Sequence, residues 1–295
     1  PVTQRMVEHI SGSLGLLVVL VTVYYSAEVI WRERNSGMGD IIDTMPVPNL
    51  TFWLAKLLAV GAVMLLLFVL GTGVTVVYQA IKGMTEFELS QYAIRLGYFF
   101  WLPALFTVVL AFFLQVLSPN KFVGMGLFVG YFMLSLVLSN WGLGHSLLNF
   151  GTSPSVAFSD LNQYGSTLES HSWYMLYWGA ISLVFFVLGY GLYHRGPMQS
   201  LKQRWRILGY QLGATGKGLI AASMLVALGS GSFLFYQTTI LNTYQTADQQ
   251  QDLQADYEKQ FIQYAGWPIP VTTAVDAAVD LYRSEERRVG KECRS

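Results

Sequence analysis

The chain has 295 residues, of which 53% are hydrophobic and only 12% charged, with 18 basic against 18 acidic side chains and a mean hydropathy of +0.41. A soluble domain carries roughly 25% charged residues, so this composition excludes an ordinary soluble domain. The apolar residues are gathered into runs near the ~20 residues a helix needs to cross a bilayer core, and the expected fold class is an all-α polytopic membrane protein.

Six such runs follow in chain order, at residues 14–30, 52–81, 97–117, 122–141, 173–193 and 218–241. The second is long enough to tilt or protrude. Aromatic residues at the ends of the runs, among them Tyr98, Trp101, Trp141, Trp173 and Trp178, suit the headgroup level, where an amphipathic ring meets both lipid and water.

Charge between the runs sets an orientation. If 31–51 is cytoplasmic, that side holds Arg32, Arg34, Lys56, Lys121, Arg195, Lys202, Arg204, Arg206 and Lys217, and the other side only Arg5, Lys82, Arg95 and Lys259. This asymmetry fits the positive-inside rule and predicts a multi-pass inner-membrane protein with both authentic ends outside the cytoplasm.

The connection AEVIWRERNSGMGDIIDTMPVPNLTFWLAKLL (27–58) carries the most information. Glu28 and Arg32 are spaced to pair along one helix face. A carboxylate within lipid costs about 2.5 kcal/mol or more, which places Glu28 at the membrane edge or in a pair. Residues 40–45, with Ile41 and Ile42 beside Asp40 and Asp43, read as a short interfacial helix, stopped by Pro46 and Pro48. Asn49 or Thr51 is expected to cap the next span, and Lys56 to snorkel back to the headgroups.

An acidic residue closing a span, then W-R-E-R, a glycine-containing stretch, I-I-D-T-x-P and a lysine entering a long helix together resemble the permeases of type-2 ABC exporters. The resemblance implies that this stretch faces a cytoplasmic ATPase subunit and transmits its closure to the membrane helices. The residues it assigns to that coupling are Glu28, Arg32, Glu33, Arg34, Asp43, Pro46 and Lys56. It also implies six further helices, from a second half or a homodimer, with ATP bound by the partner.

Within the fourth run, Gly126 and Gly130 form a GxxxG pair that lets a neighbouring helix approach closely. The runs hold almost no charge, which argues against a proton-driven carrier, since such a path needs intramembrane ionisable groups. The string GATGKG (213–218) imitates a phosphate-binding loop, but Gln211 stands at the first glycine position and Gly218 at the magnesium-binding hydroxyl. It reads instead as a flexible, basic lead-in to the sixth span. The basic run from Lys202 to Arg206, in which Trp205 is the one interleaved aromatic, reads as an inner-leaflet or topology signal, not a nucleic-acid site.

After the sixth run, 242–264 reads as an exposed helix or stalk, broken by Gly266, Trp267, Pro268 and Pro270. With the spaced apolar residues of 271–282, the string YEKQFIQYAGWPIP (257–270) is similar to the junction at which such a permease is fused to a zinc aminopeptidase of the aminopeptidase N type. The resemblance implies that 271–282 opens a truncated β-rich domain. A zinc peptidase needs H-E-x-x-H, and none of His9, His145, His171 or His194 has that context. Catalysis and zinc are therefore expected only in a domain beyond this chain, and His145 and His171 are expected to be ordinary loop residues.

The string RSEERRVGKEC (283–293) resembles the translation of a sequencing-library adapter, so 283–295 is expected to be foreign to the protein. Without it the balance is 13 basic against 15 acidic residues, net −2, and the only cysteine, Cys293, is lost.

Overall fold

The computed structural model describes residues 2–84, 87–138, 141, 144–154, 158–159, 162–196, 200–242, 247–264 and 266–267. The segments expected to begin a β-rich domain (271–282) and to be adapter sequence (283–295) lie outside the described residues.

The described residues form helices in the order α1 (Val2–Asn35), α2 (Gly39–Asp43), α3 (Asn49–Ile81), α4 (Leu89–Tyr92), α5 (Leu102–Leu117), α6 (Lys121–Leu138), α7 (Gly165–Leu192), α8 (Leu201–Phe235) and α9 (Ala247–Phe261). A π-helical stretch, Ala93–Trp101, joins α4 to α5. Among the described residues, six helical segments are long and apolar enough to span a bilayer, and no strand is present. The expected six-span, all-α class is thus observed. At ~1.5 Å per residue, the 33 residues of α3 reach ~50 Å, well beyond a hydrocarbon core of about 30 Å.

The helices outrun the apolar runs at several ends. The clearest correction is the sixth span: α8 begins at Leu201, not near residue 218, and GATGKG is helix interior instead of a loop. Ser200 and Gln203 form a capping box that starts it. The two parts of α8 meet in a kink at Gly213, whose φ of 59° and ψ of −163° fall in a region open essentially to glycine alone. The first part is held by tertiary packing: Leu208 and Leu212 close on Gly191 of α7, where an added Cβ would lie 2.6 Å from Leu208 Cδ1.

The core gathers around α5. Trp53, fully buried on α3, lies edge-on to Phe112 with ring centroids 5.7 Å apart, and contacts Phe186 and the Tyr193 ring. Val18, Ile30 and Trp31 of α1, Val60, Met64 and Phe68 of α3, Ala104, Val108 and Val116 of α5, and Leu192 and Leu208 complete this cluster. A second cluster joins α5 and α7 to Phe150 and Leu234.

Several polar side chains inside the bundle find partners, as a medium without water demands, although the buried Trp53 Nε1, Gln79 Oε1 and Ser182 Oγ make no hydrogen bond. Trp31 Nε1 donates to Gln115 Oε1 at 3.0 Å, Gln79 Nε2 donates to the Tyr92 hydroxyl at 3.0 Å, and Thr22 donates back to the Val18 carbonyl at 2.7 Å. The described residues from Gln249 onward belong to a unit separate from the rest of the chain. In its described part, Tyr257 and Phe261 on α9 place their rings 4.6 Å apart, and the turn Ile262–Tyr264 follows.

Candidate coupling site

The last turns of α1, the short helix α2, the first turns of α3 and the residues just past α7 meet at one end of the bundle. Lys56 is buried there, correcting the expectation that it snorkels to the headgroups. Its ammonium donates to Glu33 Oε2 at 2.8 Å and to the Val29 carbonyl at 3.0 Å, and lies 5.5 Å from the centre of the Tyr193 ring. Its four-carbon stem is directed to Glu33 on α1, so the charge is neutralised by that carboxylate instead of by water. Such a pair adds little net stability, but losing one partner strands the other charge.

Arg195 supplies the second fastening. Its guanidinium donates through Nη2 to the carbonyls of Ile42 (2.9 Å), Asp43 (3.0 Å) and Met45 (2.9 Å), and through Nη1 to the Val47 carbonyl and Asn49 Oδ1. The Asp43 carboxylate faces Arg195 Nε at 3.6 Å and accepts from the Gly196 amide at 2.6 Å. Phe52 lies beneath the guanidinium at 4.7 Å. A planar, delocalised cation with five donors is suited to this task, gathering several carbonyls while stacking on an aromatic face. Pro46 stands between Met45 and Val47, whose carbonyls are both captured, and has no amide of its own to satisfy. The segment after α2 is thereby tied to the end of α7, some 150 residues away in sequence.

Four of the seven nominated residues, Glu33, Arg34, Asp43 and Lys56, join this network; Arg34 Nη2 donates to the His194 carbonyl at 2.7 Å. Arg32 and Pro46 are exposed. Glu28 pairs with Lys121 at 3.5 Å, which corrects its expected pairing with Arg32: the cation beside α6 is nearer than the one a turn along its own helix. The expected caps of α3 are also corrected. Its N-cap is Pro48, without a side-chain cap, and Asn49 Oδ1 serves Arg195 instead. Around the network, Met38, Ile41, Met45 and Leu50 are exposed.

Arg195 and Tyr193, which the fold brings to this end, were not nominated from the sequence, where Arg195 counted only toward orientation. The available signal was Arg195–Gly196 immediately beyond an apolar run; its partners, however, are set by folding. Gly126 and Gly130 do not pack within the chain: a Cβ at either would meet nothing within 4 Å.

The histidines lie away from this end. His171 is buried within α7, not in a loop, with Ser153 Oγ 2.8 Å from Nδ1 and the Tyr98 carbonyl 3.3 Å from Nε2. His145 does lie in a loop. Its Nδ1 accepts from the Leu147 amide at 3.1 Å, Nε2 lies 3.2 Å from Thr238 Oγ1, and burial lowers its pKa. Among the described residues, no group of three His, Cys, Asp or Glu side chains is placed to hold a metal ion.

Six spanning helices, with a connection at one end fastened by buried ion pairs, define a multi-pass membrane protein. Residues 3–135 match the family model described as ABC-2 family transporter protein, which supports a type-2 ABC permease, the transmembrane subunit of an ABC transporter. The match takes in all seven nominated coupling residues and stops before Arg195. No curated protein and no solved structure matches the chain.

Proposed function

We propose that the chain is a permease half of an ATP-driven exporter in a plasma (inner) membrane, and that a cytoplasmic ATPase subunit presses on the connection between α1 and α3. The Arg195 fastening carries this reading: force applied to α2 reaches α7 through Asp43 and the captured carbonyls, and reaches α1 and α3 through Glu33 and Lys56. The exposed apolar side chains Met38, Ile41 and Met45, with Arg32 beside them, form the surface offered to the ATPase. ATP is bound by that partner, and its hydrolysis biases the helices between two arrangements. The face of α6 bearing Gly126 and Gly130 is open to a second six-helix half or a second copy. The end carrying Arg32, Arg34 and Arg195 is cytoplasmic by its excess of basic residues. Continuation into a zinc aminopeptidase domain, with zinc held there, remains a proposal on the resemblance of 257–282 alone.

The test is charge reversal at Arg32 and Arg34 in the permease co-expressed with its ATPase. The expected result is loss of ATPase recruitment with the helical content of the membrane fraction unchanged. Recruitment and transport at wild-type levels would overturn the assignment.

A further inference from the structure

The sixth spanning segment, Leu201–Leu241, has 41 residues. As one straight helix it would reach ~60 Å, about twice a hydrocarbon core of about 30 Å. The kink at Gly213 resolves the excess. Beyond it, 214–241 reaches ~40 Å and can cross by itself, which leaves 201–212 as an arm. Leu208 and Leu212 close on Gly191 in the last turn of α7, and Arg204 donates to the Val116 carbonyl near the end of α5 at 2.7 Å, so the arm lies across the ends of two spans. The bend is sharp. Residues eight apart in a straight helix are ~12 Å apart along its axis, more than a lysine stem covers, yet a Cβ at Gly209 would lie 3.8 Å from Lys217 Cε and 3.9 Å from its Nζ. Lys202, Trp205, Arg206 and Gly209 stand at i, i+3, i+4 and i+7 and share one face of the arm, and the bend adds Lys217 to that face. Its three cations are exposed, as are Trp205 (46%) and, a turn beyond Arg206, Tyr210 (92%). No Asp or Glu occurs in the sequence from 170 to 247.

We infer that this face docks on anionic phospholipid headgroups of the leaflet at this end of the helices, with Lys202, Arg206 and Lys217 gathering the phosphates and Trp205 and Tyr210 seated at headgroup level. Three cations on one face without a neighbouring acid in the sequence complement a negative surface. The aromatic residues select a bilayer over a soluble acidic partner, because an indole or phenol with an apolar body and a polar tip settles where lipid meets water. The arm's level agrees, since it packs on the last turn of α7 and runs directly into the sixth span. The inference does not depend on the proposed orientation or on an ATPase. On its inner side the arm holds the Val116 and Leu192 carbonyls through Arg204, so lipid on the outer face would fix it against α5 and α7.

The experiment is native mass spectrometry of the full chain released from detergent micelles, titrated separately with phosphatidylglycerol and phosphatidylcholine. Phosphatidylglycerol is expected to bind more tightly, and Lys202→Gln, Arg206→Gln and Lys217→Gln each to weaken it by about fivefold. Lys217→Arg keeps the charge and should keep wild-type affinity. Lys259→Gln removes an exposed cation of α9 and should leave binding unchanged. Equal affinity for the two lipids overturns the inference, as does an equal loss in Lys259→Gln, which would mark general surface charge. Wild-type affinity in Lys217→Gln overturns the joining of the three cations by the bend, and wild-type affinity in the triple variant overturns the surface altogether. Displacement of the lipid by millimolar inorganic phosphate would make the occupant a free anion, and its expulsion on assembly with the ATPase would make the face a protein contact; either result overturns the lipid surface, and retention through both supports it.

Discussion

Replacing Arg195 by alanine should release the connection between α2 and α3 from the end of α7 while leaving the membrane helices intact. The guanidinium serves the carbonyls of Ile42, Asp43, Met45 and Val47 and faces the Asp43 carboxylate, with both side chains of that pair more than four-fifths buried. Hydrogen bonds from a charged donor contribute about 1.5–3 kcal/mol each in net terms. They are not additive here, because the freed carbonyls near the surface regain water. A net loss of about 3 kcal/mol is the reasonable figure, on the order of a hundredfold in the local opening equilibrium. Hydrogen exchange followed by mass spectrometry over 38–49 reads this directly, through the amides of Ile42, Met45 and Val47 that bond within the segment. Arg195→Lys should recover little, since a single ammonium cannot span carbonyls that a planar fork gathers. Coupling of ATP hydrolysis to transport should fall in parallel with the lost protection. Unchanged protection over 38–49 in Arg195→Ala would refute the fastening, and restored protection in Arg195→Lys would refute its dependence on fork geometry.

Lys56→Met alone should destabilise the bundle by about 3–5 kcal/mol by leaving Glu33 without its buried cation, whereas Lys56→Met with Glu33→Gln should cost less than the single change; thermal unfolding in one detergent distinguishes them. His145 has a folded pKa below its ordinary value of 6.5 because burial disfavours the imidazolium. The unfolded chain therefore binds the extra proton first, so this contribution to stability is complete above about pH 6.5 and declines as pH falls below it through the folded value. His145→Gln should flatten the corresponding part of a stability-against-pH profile, and an unaltered profile would show that another group governs it. A reporter joined after Tyr282 should be active only in the extracytoplasmic compartment, and a cytoplasmic signal would reverse the orientation of all six spans.

Part of the candidate site was legible because its groups are neighbours in sequence at the edge of apolar runs. Glu33, Arg34, Asp43 and Lys56 stand where a membrane segment gives way to water, and any charge there must be paired, solvated or used. The short helix Gly39–Asp43 was expected for the same local reason, bounded by glycines before it and prolines after it. Local spacing failed where distance along the chain misled. The i,i+4 rule joined Glu28 to Arg32, but the turn after α5 delivers Lys121 to Glu28 instead. Glycine content likewise made 213–218 look like a loop, although Gly213 bends a helix that the packing of Leu208 and Leu212 on Gly191 has already extended back to Leu201.

The sequence by itself determined the class of the protein, because bilayer thickness imposes a minimum length on each apolar run and satisfying the backbone within that length requires helices. It also determined where charge is tolerated, at the ends of those runs. The tertiary structure alone decided which charges meet. Arg195 reaches Ile42, Met45 and Val47, and Trp31 meets Gln115, across separations of 84 to 153 residues. Those distances are closed by packing around Trp53 and Phe112, not by any local pattern.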